Sequence, residues 1–228
     1  MKTCIALTGS LLVRIALAGA QTAGTPSAGV VVENASATNA FSRFTSGNHV
    51  TVRAARRAQI WSTADGLDWA RHPPGTDSSL YDVAYGNRIF VAVGNEGVIV
   101  TSPDGVSWTR RDSHTDERLR GVVFGNGMFA AVGYAGTVVT SKDGVKWTIR
   151  NSGTDERLQM VAFNRATFVA VGWKGIILTS TNGRTWTTRT SCSLERLDNI
   201  AYRGNRFVAS VTNRTARVSA DGNQWTKP

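Results

Sequence analysis

The chain has 228 residues, 41% of them hydrophobic, which is enough to bury a sizeable core in one large domain or two small ones. Only 18% are charged, and 23 glycines and 7 tryptophans accompany many Thr and Val residues, a composition that predicts sheets and turns and argues against a helical protein. A net charge of +10 favours polyanions, but apart from Arg53, Arg56 and Arg57 the basic residues stand singly, too dispersed for the one-faced footprint that nucleic acid needs.

Residues 1–20 read as a signal peptide: Lys2, an apolar stretch from Ile5 to Leu17 interrupted by Arg14, then the small-residue cleavage site Ala18-Gly19-Ala20. They predict export, to the periplasm or out of the cell. Residues 21–40, rich in Ala, Ser, Thr, Gly and Asn, read as a flexible lead-in. No other segment reaches the roughly 18 apolar residues of a membrane span. Cys4 would leave with the signal and Cys192 would stand alone as a small packing residue, so no intrachain disulfide or multi-cysteine metal site is expected.

From residue 41 onward the chain repeats itself. Trp69, Trp108, Trp147, Trp186 and Trp225 are spaced 39 residues apart without one insertion or deletion. Five units follow, at about 41–71, 80–110, 119–149, 158–188 and 197–227. Leu80, Leu119, Leu158 and Leu197 keep phase, as do Phe90, Phe129, Phe168 and Phe207. The second unit divides at Gly86-Asn87, at Gly94-Asn95-Glu96-Gly97 and at Asp104-Gly105 into four strands, 80–85, 89–93, 98–102 and 106–110. Such a sheet cannot cover its own two faces, and Phe90 to Val93 is apolar without alternation, as a strand buried on both sides should be. Radial stacking answers this need, so the expected fold is an all-β propeller of about five four-stranded antiparallel blades, acting as a monomer. The first unit is worn, with Ala54-Ala55-Arg56-Arg57-Ala58 where other copies have a glycine turn. It reads as the divergent first blade of a closed ring or, alternatively, as the remnant of a longer propeller. Val30, Val31 and Val32 hold the phase of an outermost strand that would pair with the fifth blade.

Each Trp closes a motif of the form Ser-x-Asp-Gly-x-x-Trp, as in Ser102-Pro103-Asp104-Gly105-Val106-Ser107-Trp108. The carboxylates of Asp65, Asp104, Asp143 and Asp221, and the amide of Asn182, suit the capture of following backbone N–H groups, while the tryptophans offer apolar surface to a neighbouring layer. The motif resembles the Asp-box of BNR-repeat propellers, found in sialidases, sortilin-like receptors, xyloglucan-degrading glycosidases and photosystem II assembly-factor-type propellers. It has one residue fewer between the aspartate and the Trp. The resemblance spans residues 41–228 and implies a propeller whose boxes are structural and lie away from the functional face.

Candidate functional residues are those that vary inside the repeat. The turn between second and third strands carries Asn95-Glu96, Tyr134-Ala135, Trp173-Lys174 and, in a copy without glycine, Asn213-Arg214. Tyr134 and Trp173 would be exposed aromatics on adjacent blades, suited to stacking a sugar or another flat ligand. Glu117-Arg118, Glu156-Arg157 and Glu195-Arg196 recur in the connections on the same face, as interblade ion pairs or as a charged ring round the channel mouth. On the innermost strand either Asp82, Gly121, Met160 and Asn199 or Tyr81, Arg120, Gln159 and Asp198 should face the channel.

Catalysis finds no motif. Asp82, Glu96, Asp112 and Asp198 are the unrepeated carboxylates that a glycoside hydrolase could use, but nothing in their spacing selects a pair. The Phe-Arg-Ile-Pro signature of sialidases is absent, and His49, His72 and His114 lack metal-ligand spacing, so no metal or cofactor is assigned. The reading is an exported, non-catalytic binding module for a glycan or protein partner. An assembly or scaffold role comes second, and a sialidase-like hydrolase third.

Overall fold

The computed structural model describes residues 43–191, 194–211 and 216–227. Residues 1–20, read above as a signal peptide, the expected lead-in with Val30 to Val32, Cys192, Asn213 and Arg214 lie outside the described residues.

Five antiparallel sheets follow one another along the chain, each in simple meander order. The first holds β1 (Arg43–Gly47), β2 (Val50–Ala55), β3 (Gln59–Thr63) and β4 (Ala70–His72). The second holds β5 (Leu80–Gly86), β6 (Ile89–Gly94), β7 (Ile99–Ser102) and β8 (Thr109–Arg111). The third runs β9 (Leu119–Gly125), β10 (Met128–Gly133), β11 (Val138–Ser141), β12 (Thr148–Arg150), and the fourth β13 (Leu158–Phe163), β14 (Phe168–Gly172), β15 (Ile177–Ser180), β16 (Thr187–Arg189). The fifth has β17 (Leu197–Arg203), β18 (Arg206–Val211) and β19 (Ala216–Ser219). The innermost strands β1, β5, β9, β13 and β17 pack each against the next in that order and all border one central cavity, with β17 and β1 joined by the hydrogen bond from Arg43 to Asn199, so the blades stand in a ring.

The core lies between the blades. Phe90, Phe129, Phe168 and Phe207 are fully buried, each against the Trp that closes its own unit, at 6.5, 6.3, 6.3 and 6.5 Å between ring centroids. Trp147 belongs to the apolar cluster between second and third blades, Trp186 to the next and Trp225 to the next after that. In the first blade Thr51 occupies the Phe phase, and Phe44 supplies the partner ring for Trp69, at 5.7 Å. The worn first unit is therefore a complete four-stranded sheet. Its glycine-free turn is made by Arg57 and Ala58, both with positive φ.

One expectation is corrected. The fourth strand does not begin at residue 106 but at Thr109, because the box turns the chain inward. Asp104 Oδ1 accepts Val106 N–H and Ser107 N–H, both at 2.9 Å, and Trp108 Nε1 donates to Gly105 O at 3.2 Å. In the fifth blade the described residues at this phase make one bridge, between Val218 and Thr226. Asn182 makes the bonds its aspartate counterparts make, accepting Arg184 N–H at 2.8 Å and Thr185 N–H at 2.9 Å.

Candidate functional site

The turn between second and third strands is tied to the chain on both sides. In the third blade Tyr134 N–H donates to Arg118 O, in the connection entering the blade, and Gly136 N–H donates to Glu156 O, in the connection leaving it. In the fourth blade Trp173 N–H donates likewise to Arg157 O. The residue at the turn's second position thus stands between two successive connections. A Cβ on Gly136 would sit 1.7 Å from Thr154 O, so the close approach of turn and connection requires glycine as well as its φ of 63°.

This geometry assembles an alternating stack. Arg118 lies over Tyr134 at 4.9 Å, Arg157 lies over both Tyr134 and Trp173 at 4.5 Å, and Arg196 lies over Trp173 at 5.5 Å. At the other end Tyr81 takes Arg120 at 4.5 Å and Arg118 at 5.6 Å. Tyr134 and Trp173 are therefore half-buried between guanidinium groups, where sequence reasoning expected exposed rings. A guanidinium stacked on a ring keeps its in-plane N–H donors for a planar anion and has already given up much of its side-chain freedom.

Tyr81 and Arg120 reach the stack through a device repeated in four blades. Leu80 pairs with Gly94 and Asp82 with Val93, so Tyr81 is an extra residue in β5, and Arg120, Gln159 and Asp198 are the extra residues of β9, β13 and β17. Such bulges re-aim a side chain at the end of a strand. The other phase meets the channel, where Asp82 and Met160 line the cavity.

The remaining candidates surround the stack. Asn95 accepts the Tyr81 hydroxyl at 2.8 Å, Arg118 Nη1 donates to the Tyr134 hydroxyl at 3.3 Å, Lys174 pairs with Glu156 at 2.7 Å, and Arg196 pairs with Asp198. Glu96 accepts Ser78 Oγ at 3.0 Å. Glu117 and Glu195 are exposed beside their arginines. Trp173 Nε1 and Arg120 Nε are buried without an acceptor among the described residues, and each such group costs about 1–3 kcal/mol.

A family model described as the DUF6242 beta propeller domain matches residues 81–199, just over half of the chain. The chain belongs to this family. Among curated proteins no match is found. Among solved structures, the DUF6242 propeller is similar to YCF48 bound to D1 peptide, with 20% identity over 82% of this chain and 66% of that one, and a TM-score of 0.60. YCF48 from Cyanidioschyzon merolae gives 16% identity, 82% and 72% coverage and a TM-score of 0.59. The computationally designed Ika8 protein gives 13%, 80% and 59%, and 0.63. The chain thus spans about two thirds of the first of these and less of the designed protein. At such identities the likeness is one of fold, and propellers carry many functions.

The carboxylates considered for hydrolysis are dispersed in the DUF6242 propeller. Asp82 is buried in the channel and Asp198 is paired with Arg196. Glu96 and Asp112 share an open groove, both exposed, with Asp112 held to His114 at 3.1 Å. Among the described residues no group of His, Cys, Asp and Glu is placed to hold a metal ion, and no helix is long and apolar enough to cross a membrane.

Proposed function

We propose that this DUF6242 propeller is a protein-binding module that takes an acidic, extended segment of a partner on the face built by Arg118, Tyr134, Arg157, Trp173 and Arg196. The observation that carries the reading is the continuous guanidinium–aromatic stack across three successive blades. Arginines held flat on rings present forked donors that match carboxylates two bonds at a time, at low cost in side-chain entropy. Their recurrence from blade to blade suits carboxylates spaced along an extended chain, and the net charge of +10 favours encounter with such a segment. The unpaired donors Trp173 Nε1 and Arg120 Nε add support, since an incoming acceptor would relieve them with a small side-chain shift. A propeller of the same fold is described as bound to a D1 peptide, which agrees with a peptide as ligand. Export is included in this reading on the strength of residues 1–20 alone.

A fluorescein-labelled glutamate-rich decapeptide should bind with an affinity that falls as salt is raised, and a lysine-rich peptide of equal length should not bind. Arg118→Gln combined with Arg157→Gln should weaken binding at least about tenfold. Peptide binding indifferent to that double replacement would overturn the reading. Tighter binding of a heparin oligosaccharide than of the peptide would make the partner an acidic glycan instead.

A further inference from the structure

The far mouth of the central channel breaks the repeat at positions the peptide face does not use. At the ends of the first three innermost strands, Gly47, Gly86 and Gly125 lie directly under the ring of the following blade. A Cβ there would come within 2.1, 2.0 and 2.3 Å of Tyr85, Phe124 and Phe163. Glycine lets each ring close down on its neighbour. The fourth blade instead has Asn164 at this phase, and the fifth has Arg203.

The corresponding ring of the fifth blade is also placed differently. Tyr85, Phe124 and Phe163 lie tilted at 4.6, 4.6 and 4.5 Å from the Phe of their own blade, whereas Tyr202 stands edge-on to Phe207 at 5.1 Å. Asn164, Arg165, Arg203 and Asn205 thus gather on one side of a rim that is elsewhere glycine and aromatic ring. Behind that rim lies a cavity of about 470 Å³, walled by apolar residues such as Val123, Ala162 and Ala201. Its volume falls within the roughly 300–1,000 Å³ of small-ligand sites, which pair apolar walls with a few convergent polar groups. Among the described residues three arginines border it, Arg43, Arg165 and Arg203, with one carboxylate, Asp82, which accepts Val83 N–H at 3.0 Å and Val122 N–H at 2.8 Å and faces Arg43, itself bonded to Asn199. The charge balance selects an anion, the volume a small one and the walls an apolar body.

We infer that the central channel binds a small organic anion with a flat apolar body, its charged group held by Arg165 and Arg203 at the mouth formed by the fourth and fifth blades. The probe is 8-anilinonaphthalene-1-sulfonate, titrated by fluorescence and calorimetry against the full chain, with N-phenyl-1-naphthylamine as its uncharged counterpart. One sulfonate molecule should bind per chain. Met160→Trp and Ala201→Phe, which fill the cavity, should each weaken both probes at least about tenfold. Arg165→Glu combined with Arg203→Glu should weaken the sulfonate by a similar factor and leave the neutral probe unchanged. The melting temperature of each variant reports folding, and if neither filling variant folds, the exposed charge-reversal pair decides the matter on its own. Several weak sites per chain, indifference to a folded filling variant, or an equal loss of both probes on charge reversal would overturn the assignment.

Discussion

Asp82 should make the stability of this propeller fall as pH rises through the mildly acidic range. The side chain is 6% exposed, on an innermost strand, and its two oxygens accept Val83 N–H and Val122 N–H, the second of these across to the next blade. Burial pushes its carboxyl up to about 6, against the opposing pull of Arg43, the two N–H groups and Arg120. Because the folded value lies above the unfolded one of about 3.8, the folded state binds the proton more tightly. The resulting stabilisation is complete below about pH 4 and is lost as pH rises through about 6. A gap of roughly two pH units corresponds to about 3 kcal/mol. Asp82→Asn removes the titration and keeps one acceptor oxygen, so whatever it costs in hydrogen bonding is the same at every pH. Urea unfolding of both proteins from pH 4 to pH 8 should show the variant gaining about 2–3 kcal/mol on the parent across that range. Parallel pH profiles would refute the reasoning, since they would mean that the carboxylate is charged in the folded state at no cost.

Trp173→Ala should weaken acidic-peptide binding at least about tenfold and lower stability by about 1–2 kcal/mol through the loss of two cation–π contacts, while Trp173→Phe should restore most of both. A melt depressed far beyond that would place the ring in the core. In the third blade, Asp143 accepts Val145 N–H, Lys146 N–H and Ser141 Oγ at 2.8, 2.9 and 3.0 Å, and Lys146 N–H, with the others, holds its carboxyl below the usual range. Asp143→Ala should cost about 1–3 kcal/mol by chemical denaturation, and Asp143→Asn much less, as the natural Asn182 attests. Gly136→Ala, whose Cβ meets Thr154 O, should destabilise by more than 2 kcal/mol, against about 1 kcal/mol for Gly153→Ala, where φ is 73° but the space is open. Equal losses in the thermal melt of those two variants would show that the close approach of turn and connection is unimportant.

The strands and boxes were legible because stacked blades impose the same demands at the same phase, so a Phe, an Asp-Gly turn and a Trp recur every 39 residues. The turn residues Tyr134 and Trp173 were legible for the opposite reason: they differ where their surroundings do not. Their burial was not legible, because it depends on Arg118 and Arg157 arriving from connections that are neighbours only in the folded blade. Tyr81 and Arg120 were missed as partners of the stack because a bulge leaves no mark on composition or periodicity. A local signal did exist at the channel mouth. Gly47, Gly86 and Gly125 keep phase and then stop, at Asn164 and Arg203, and only the rings above them tell why glycine was needed.

The seam between the fifth and first blades explains where the repeat decays. Each of the other four seams holds a buried apolar cluster made from the far face of one blade and the near face of the next. At the fifth, the phases that elsewhere carry Phe90, Ala92 and Val100 are Thr51, Arg53 and Trp61, and the phase of Val93 is Ser210. All four of these residues are half-buried. What joins the two blades at the hub is polar, a bond of 3.0 Å from Arg43 Nη2 to Asn199 Oδ1. In stacked arrays the outer units carry polar outer faces so that they tolerate water. The first and fifth blades have that character even though they meet round a shared cavity. Apolar clusters hold four seams while half-buried Thr, Arg, Trp and Ser border the fifth, and the worn turn and the Phe44–Trp69 pair both lie in the first blade, on that border.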